Sequence, residues 1–251
     1  MKSLTSNAPP PIPAAILKTP VLLALGENPS EREPIPNAVV AAEAILREPR
    51  RVMFQLRQPG AGRLIAGMFF VALLCSGLYG AVVGSFSMGT QLWAAPVKIA
   101  GGILASALIC LPSLYIFACL SGSQARLNEI CGLIAGLLLL MTILLVGFAP
   151  VAWLFSQSTE SLVWMGALHL VFWLIASCFA LRFLQAGFSH SRARSTAGLN
   201  AWVIIFMLVA VQMTAALRPI LGKSETFLPT EKKLFLAHWG DCLTSLQLGA
   251  R

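Results

Sequence analysis

Charged residues are scarce in this chain, and acidic ones are the scarcest. Asp, Glu, Lys and Arg make up 11% of the 251 residues, whereas hydrophobic residues make up 57%. Soluble globular domains carry about 25% charged residues, so an ordinary soluble domain is excluded. The formal net charge is +8. In a membrane protein this balance indicates contact with anionic headgroups through cytoplasmic loops, rather than binding of nucleic acid.

The patterns that carry catalysis or metal binding are also missing. No HExxH, GxSxG or phosphate-binding-loop pattern occurs, and the six cysteines show no CxxC or CxxH spacing. Between residues 63 and 222 only Glu129 and Glu160 carry a carboxylate, which is too few for general acid–base chemistry or a two-metal site. The sequence therefore predicts a protein that is not an enzyme and has no cofactor, metal ion or disulfide.

Long apolar segments, in contrast, dominate the chain. A helix needs about 20 apolar residues to cross a hydrocarbon core roughly 30 Å thick. Lipid offers the backbone no hydrogen-bond partners, so such segments must pair their own N–H and C=O groups and become helices. We therefore predict an all-α polytopic membrane protein with short loops and five transmembrane helices, at Arg63–Gly84, Leu92–Leu120, Ile130–Phe155, Leu162–Leu184 and Leu199–Leu221.

The spans divide the chain into four parts. Residues 1–36 form a Pro-rich cytoplasmic arm, 37–62 cytoplasmic interfacial helices, 63–222 the membrane domain and 223–251 an amphipathic tail on the outer face. Eight prolines predict that the arm is extended or disordered unless a partner holds it. No signal-peptide core precedes the first span, so that span is expected to direct its own insertion.

Amphipathic helices are predicted on both sides of the membrane domain. Asn37 is a plausible N-cap of one helix, and Pro49 begins the next. This second helix has an apolar face, formed by Val52, Met53 and Leu56. We expect it to lie at the membrane interface and to contact the membrane surface through Arg50, Arg51 and Arg57. After the last span, a further interfacial helix is predicted from the face shared by Phe235, Trp239, Cys242 and Leu246. A short soluble helix is the alternative at both places.

Basic residues are unevenly divided between the two membrane sides. One side carries Arg47, Arg50, Arg51, Arg57, Arg63, Arg126, Arg182, Arg192 and Arg194, whereas the two short loops on the other side carry no Lys or Arg. Basic residues mark the cytoplasmic side. We therefore expect the N-terminus in the cytoplasm and, after five spans, the C-terminus outside. Four residues oppose this orientation: Arg218, Lys223, Lys232 and Lys233.

The lead-in REPRRVMFQLRQPG and the passage YIFACLSGS resemble the pattern of the Yip1-like membrane proteins, in which a cytoplasmic helix containing proline precedes apolar spans. This resemblance implies a five-span membrane protein. The passages YGAVVGSFSMGTQLWAAPVKI, ICLPSLYIFACLSGS and ALRPILG are similar to a set of uncharacterised bacterial membrane proteins. Together the resemblances cover Arg47 to Gly222.

Some of those bacterial proteins carry an actin-binding WH2 label. Here the only residues that could match that motif are Ile16-Leu17-Lys18-Thr19. A WH2 segment needs an amphipathic helix before the motif, and Pro9–Pro13 prevents one. The sequence therefore does not support actin binding.

Three ionisable residues fall within the spans on the outer side. Lys98, His169 and Arg218 each lie on the order of 10 Å deep, at 1.5 Å per helical residue. A charge at such depth costs about 2.5–3.5 kcal/mol on insertion scales. One interpretation is an outward-facing anion, lipid-headgroup or proton site. In the other, Lys98 and Arg218 extend to lipid phosphates and His169 bonds a neighbouring helix.

These features favour a non-enzymatic scaffold or assembly subunit of the plasma (bacterial inner) membrane. Its expected partners are anionic lipids and either other membrane proteins or further copies of itself, with no nucleic acid. The alternative is a small-solute or ion transporter or channel with an outward-facing basic site. A membrane enzyme is the third hypothesis.

Overall fold

We describe the protein from a computed structural model, which describes residues 24–87, 89, 91–159, 161–190 and 197–217. Every regular element in these ranges is an α-helix, as predicted. The eight helices are α1 (Pro29–Arg32), α2 (Ala38–Arg47), α3 (Pro49–Gln55), α4 (Gly62–Ser87), α5 (Gln91–Leu120), α6 (Leu127–Ser158), α7 (Leu162–Ser189) and α8 (Ala197–Ala216). The predicted C-terminal interfacial helix lies outside the described residues.

Helices α4 to α8 are the five predicted spans. Each is long and apolar enough to cross a membrane, with a mean hydropathy between 1.8 and 2.7 over its most apolar stretch. Helices α4, α6 and α7 extend a few residues past the predicted limits, and α6 was expected at Ile130–Phe155. Helix α8, in contrast, ends at Ala216, before the expected Leu221. The chain is therefore an all-α, multi-pass membrane protein.

The five spans pack in the order α8–α5–α4–α6–α7. Helix α6 lies at the centre, because it contacts α4, α5 and α7 and most of its apolar stretch is buried. Helix α8 packs chiefly on α5, where the indole Nε1 of Trp202 donates a 2.9 Å hydrogen bond to the backbone oxygen of Cys110. Since Trp202 is fully buried, this contact fixes α8 on α5.

Two glycines bring α4 and α5 close together. A Cβ added to Gly80 would lie 2.5 Å from Pro96 Cα, and one added to Gly84 would lie 2.5 Å from the backbone oxygen of Gln91. Backbone atoms cannot move aside as a flexible side chain can. Small residues therefore let these helices approach closely, as is common between helices in lipid.

The bundle has two ends. The cap end contains the first residues of α4, α6 and α8 and the last residues of α5 and α7, and the loop end is the opposite one. We call helices α1, α2 and α3 the cap. Near the cap end α2 packs on α4 and α6 and α3 contacts α7, whereas α1 packs on α3. Asn37 caps α2, since its Oδ1 accepts a 2.9 Å hydrogen bond from Val40 N, and α3 begins at Pro49. Both local predictions are confirmed.

The apolar face of α3 points into the protein and not into lipid. Val52, Met53 and Leu56 are all buried. Leu56 fills the space above Gly132 of α6, where an added Cβ would lie 2.5 Å from its Cδ2. The sequence prediction assigned this face to the membrane interface because an apolar face does not reveal whether lipid or protein covers it. Here protein covers the face, and Gly132 of α6 provides the surface beneath Leu56.

Residues 24–36 of the predicted arm are ordered against α3. Helix α1 contacts α3, and Glu31 of α1 is buried between them. The arm was expected to be extended or disordered unless a partner holds it. For these residues the partner is α3 of the same chain, and residues 1–23 lie outside the described residues.

Candidate functional site

A tyrosine–histidine pair joins two spans that are not neighbours in sequence. Tyr79 Oη of α4 and His169 Nδ1 of α7 are 2.7 Å apart, a hydrogen-bond distance. The two rings meet edge to face, with centroids 5.6 Å apart and an interplanar angle of 86°. This pair links α4 and α7 across α6.

The other ring nitrogen of His169 faces the protein interior. Nε2 is buried and has no hydrogen-bond partner among the residues that the structure describes. If Tyr79 donates its hydroxyl proton to Nδ1, the neutral imidazole carries its own proton on Nε2. The pair then presents one unpaired N–H donor inside the membrane domain, and a bound acceptor oxygen would satisfy it.

Lys98 of α5 is covered by protein. Its side chain is 2% exposed and lies on the same buried stripe as Ala94, Ala95 and Gly102. It takes part in a polar or electrostatic interaction. A lysine that extends to lipid phosphates along the outer surface would keep much of its stem exposed, so this burial favours a role inside the protein.

Lys98, His169 and Tyr79 lie at a common depth. Lys98 and His169 each follow the start of their helix by about two turns, and Tyr79 precedes the end of α4 by slightly more. At 1.5 Å per residue, all three are roughly 10–12 Å from the loop end. The predicted level of Lys98 and His169 is thus consistent with the helix limits, whereas Arg218 lies outside the described residues.

Sequence reasoning missed Tyr79, which was not among the candidate site residues. The chain contains two tyrosines, and a tyrosine within a span is a polar group that needs a partner. That signal was available. It does not identify His169, which lies 90 residues further along the chain.

Gln91 is a second buried polar residue near the loop end. Its side chain is buried at the start of α5, and within the described ranges its Oε1 has no hydrogen-bond partner. Its backbone packs on Gly84. Buried polar atoms without a partner are uncommon in native proteins, so Gln91 adds to the polar character of this half of the membrane domain.

The arginines predicted to contact the membrane surface are engaged within the chain, and Arg50 has the most buried partner. Arg50 Nε donates to Glu31 Oε1 at 2.6 Å, and Arg50 Nη2 donates to the backbone oxygen of Ala24 at 3.3 Å. The amide of Gly26 also donates to the Glu31 carboxylate. Burial opposes ionisation of Glu31, but the hydrogen bonds from Arg50 and Gly26 outweigh it and hold its pKa below the ordinary value.

Arg51 joins α3 to the segment after α1. Its Nε donates to the backbone oxygen of Glu33 and its Nη2 to that of Pro34, both at 3.1 Å. Its Nη1 also lies 3.3 Å from Glu48 Oε2. The side chain is only 15% exposed, so Arg51 acts mainly within the cap.

Arg57 links the end of the cap to α6. Its Nε lies 3.9 Å from Glu129 Oε2 in the first turn of α6. About a third of the side chains of Arg50 and Arg57 remains exposed, 31% and 32% respectively. These two residues can still reach lipid or solvent, but their charges are already balanced by carboxylates.

His190 brings α7 into the same network. Its Nε2 lies 3.5 Å from Arg50 Nη1. Burial lowers the pKa of His190, and the positive charges of Arg50 and Arg57 lower it further, whereas Glu31 acts in the opposite direction. A neutral imidazole beside the arginines is therefore the favoured form.

Among the described residues, no three His, Cys, Asp or Glu side chains lie close enough together to hold a metal ion. Comparison with protein-family models, with curated proteins and with solved structures finds no match to this chain.

Proposed function

We propose that this protein is a non-enzymatic scaffold or assembly subunit of the plasma (bacterial inner) membrane, with its N-terminus in the cytoplasm and its C-terminus outside. On the cytoplasmic side, the cap would present a fixed surface that holds partner proteins, further copies of the chain or anionic lipids. The observation that carries the proposal is the ion pair between Arg50 and the buried Glu31.

The cap is built as a rigid element and not as a loose linker. Arg50 joins α1 to α3, Arg51 joins the segment after α1 to α3, and Arg57 joins the chain after α3 to α6. Buried charges must be paired to be tolerated, and removing one partner is strongly destabilising. Such a network orders a surface at the membrane boundary before any partner arrives, which reduces the entropy cost of binding.

The proposal agrees with the Yip1-like resemblance in one respect. Five spans with short loops follow a lead-in helix that begins at a proline, Pro49. The likeness is one of architecture, and it supports membrane assembly better than catalysis.

Site-specific photo-crosslinking in intact membranes tests the scaffold function. A benzophenone amino acid replaces Glu27 or Ser30, which are exposed on the cap, and in the control it replaces Leu108, which is exposed on α5. The proposal expects a protein adduct of defined mass from the cap positions only, either with a partner or with a second copy. Loss of this adduct in a Glu31→Gln variant would connect it to the folded cap. Equal adducts from cap and control positions would contradict the proposal.

The second candidate is a transporter, channel or anion site at the level of Lys98 and His169. The observation that favours it is the buried Nε2 of His169, which has no hydrogen-bond partner in the described part of the chain and belongs to a ring that Tyr79 orients. An intramembrane ionisable group is a functional hypothesis by default. Proton and chloride flux into proteoliposomes would support this candidate if His169→Phe abolishes the flux and Tyr115→Phe does not. Absence of flux in the unchanged protein would favour the scaffold.

A further inference from the structure

Helix α2 buries one side and exposes the other. Ala41, Ala44 and Ile45 form the buried side. At 100° per residue, the exposed side has two edges. One edge is apolar, formed by the exposed Val39 and Leu46 and the half-buried Ala42. The other carries Glu43 and Arg47, whose exposed side chains are 3.5 Å apart, beside the half-buried Val40. Val39 is 76% exposed and Leu46 is 50% exposed, so the apolar edge is left uncovered by the described protein.

Contacts with the spans fix the depth of α2. A Cβ added to Gly67 of α4 would lie 3.3 Å from Ala38 Cβ, and one added to Gly136 of α6 would lie 3.3 Å from Ile45 Cδ1. Gly67 follows the start of α4 by more than one turn, and Gly136 follows the start of α6 by more than two turns. Helix α2 therefore lies beside the spans and not beyond their ends.

An exposed arginine marks the membrane boundary at the same level. Phe183 of α7 packs on Gly136, and the neighbouring Arg182 is exposed on α7. An arginine on the outside of a span reaches for headgroups because its charge is costly in hydrocarbon. From Gly136 to the end of α6 the helix is roughly 33 Å long at 1.5 Å per residue, which matches a hydrocarbon core of about 30 Å.

The apolar edge of α2 continues the lipid-facing surface of α4. Helix α2 covers α4 at Gly67. Two turns further along nearly the same side of α4 lies Leu74, which is exposed, as is the large Phe70 between them. The side of α4 that α2 covers at the membrane boundary is therefore exposed to lipid further along the helix, deeper in the membrane.

We infer that α2 is the helix through which the cap contacts the bilayer. Val39, Ala42 and Leu46 enter the hydrocarbon boundary, and Glu43 and Arg47 lie among the headgroups. The occupant of this edge is lipid. Arg50, Arg51 and Arg57, for which the sequence predicts membrane contact, also form ion pairs within the chain. The inference does not depend on partner binding by the cap, so each can fail without the other.

Spin-label accessibility tests the inference on the full chain. The protein, with its native cysteines replaced by alanine and its thermal stability checked, is reconstituted in phosphatidylethanolamine–phosphatidylglycerol vesicles. Single labels are placed at Val39, Leu46 and Glu43, with Phe70 as the lipid control and Glu27 as the aqueous control. Relaxation by oxygen reports lipid, and relaxation by a water-soluble nickel chelate reports solvent.

We expect the Val39 and Leu46 labels to respond to oxygen more than to nickel, as at Phe70, and the Glu43 label to show a smaller ratio. Labels at Val39 and Leu46 that behave like Glu27 would overturn the inference, because the edge would then face water. Labels that neither agent reaches would overturn it as well, because protein, such as a second copy, would then cover the edge. The same labels are measured in a Glu31→Gln variant, which lacks the ion pair between α1 and α3. An unchanged ratio of oxygen to nickel relaxation in this variant would show that membrane contact by α2 does not depend on cap assembly.

Discussion

Tyr79 and His169 are joined by a 2.7 Å hydrogen bond between Oη and Nδ1, although 90 residues separate them in the chain. They come from α4 and α7, on either side of the central α6, and both lie well inside the spans. The bond satisfies two polar groups that would otherwise lie unpaired in the membrane domain. It also orients the imidazole, so that Nε2 faces the protein interior.

Removal of the Tyr79 hydroxyl should destabilise the membrane domain modestly. Hydrogen bonds between spans contribute about 0.6 kcal/mol on average and up to about 1.7, so we expect Tyr79→Phe to lower the free energy of unfolding in detergent by about 1 kcal/mol. Tyr115→Phe, at an exposed position on α5, is the matched control. A double-mutant cycle with His169→Phe should show coupling. Additive effects would mean that the two side chains do not interact.

Close approach of α4 and α5 should make Gly80 intolerant of a side chain. An added Cβ would lie 2.5 Å from the backbone of Pro96, whereas one added to Gly77 meets no atom within 4 Å. Overpacking costs about 1–3 kcal/mol. We expect Gly80→Ala to lower thermal stability in detergent and Gly77→Ala, on the same helix, to leave it unchanged or raise it. Similar effects of the two substitutions would contradict the observed helix contact.

The spans could be predicted from the sequence because their signal is local. Length and hydropathy alone locate α4 to α8, and Asn37 and Pro49 begin their helices as local rules predict. The surroundings of Val52 and Leu56 could not be predicted. Their apolar face would suit lipid or protein equally, and only tertiary packing, such as that of Leu56 on Gly132 of α6, decides between them.

For the candidate site, too, the local features could be predicted and the tertiary contacts could not. Lys98 and His169 could be assigned a common depth because a helix advances by a fixed rise. Tyr79, the partner of His169, depends on how α4 and α7 are arranged around α6. Glu31 was missed for a similar reason. Its proline-rich surroundings indicated an extended arm, whereas the buried contact with Arg50 comes from tertiary structure.

Cap order should depend on pH through Glu31. The folded-state pKa of this carboxyl is lowered from its ordinary value of 4.5. A lowered pKa means that ionised Glu31 stabilises the cap above pH 4.5, and this contribution is lost as the pH falls through the lower, folded-state pKa. Hydrogen-exchange protection of residues 24–36, corrected for intrinsic rates, should therefore fall on acidification below about pH 4.5.

Glu31→Gln should remove most of that pH dependence and lower the protection at neutral pH. Glu27→Gln is the matched control, because Glu27 is an exposed carboxylate in the same segment of the chain. A chain that begins at Asn37 lacks Glu31 and should show the same loosening of α3, although its five spans still insert. An unchanged pH profile in Glu31→Gln would show that another group controls cap order.

Membrane orientation can be tested at two exposed positions near opposite ends of the bundle. Single cysteines replace Glu48 on the cap and Ser158 at the end of α6, in a chain without its native cysteines. With the N-terminus in the cytoplasm, an impermeant maleimide should label position 158 in intact cells, and position 48 only after permeabilisation. Labelling of position 48 in intact cells would reverse the proposed orientation.

Replacement of the three arginines around α3 tests whether their charges stabilise the cap or contact the membrane surface. Sequence reasoning assigned Arg50, Arg51 and Arg57 to the membrane surface, but the structure pairs them with carboxylates. Replacing all three by Gln should therefore loosen the cap in any lipid, including neutral phosphatidylcholine. Hydrogen exchange of residues 24–56 in nanodiscs measures that loss.

The matched control removes the same charge from the same end of the bundle by replacing three other exposed arginines with Gln: Arg47, Arg63 and Arg126. Attraction of each basic residue to an anionic leaflet contributes about 1 kcal/mol and is screened by salt. The control should therefore weaken retention of phosphatidylglycerol in a salt-dependent way and leave the cap ordered. If the Arg50, Arg51 and Arg57 variant instead keeps its cap and loses only phosphatidylglycerol, the ion pairs do not stabilise the cap. The arginines would then act at the membrane surface, as their sequence pattern first indicated.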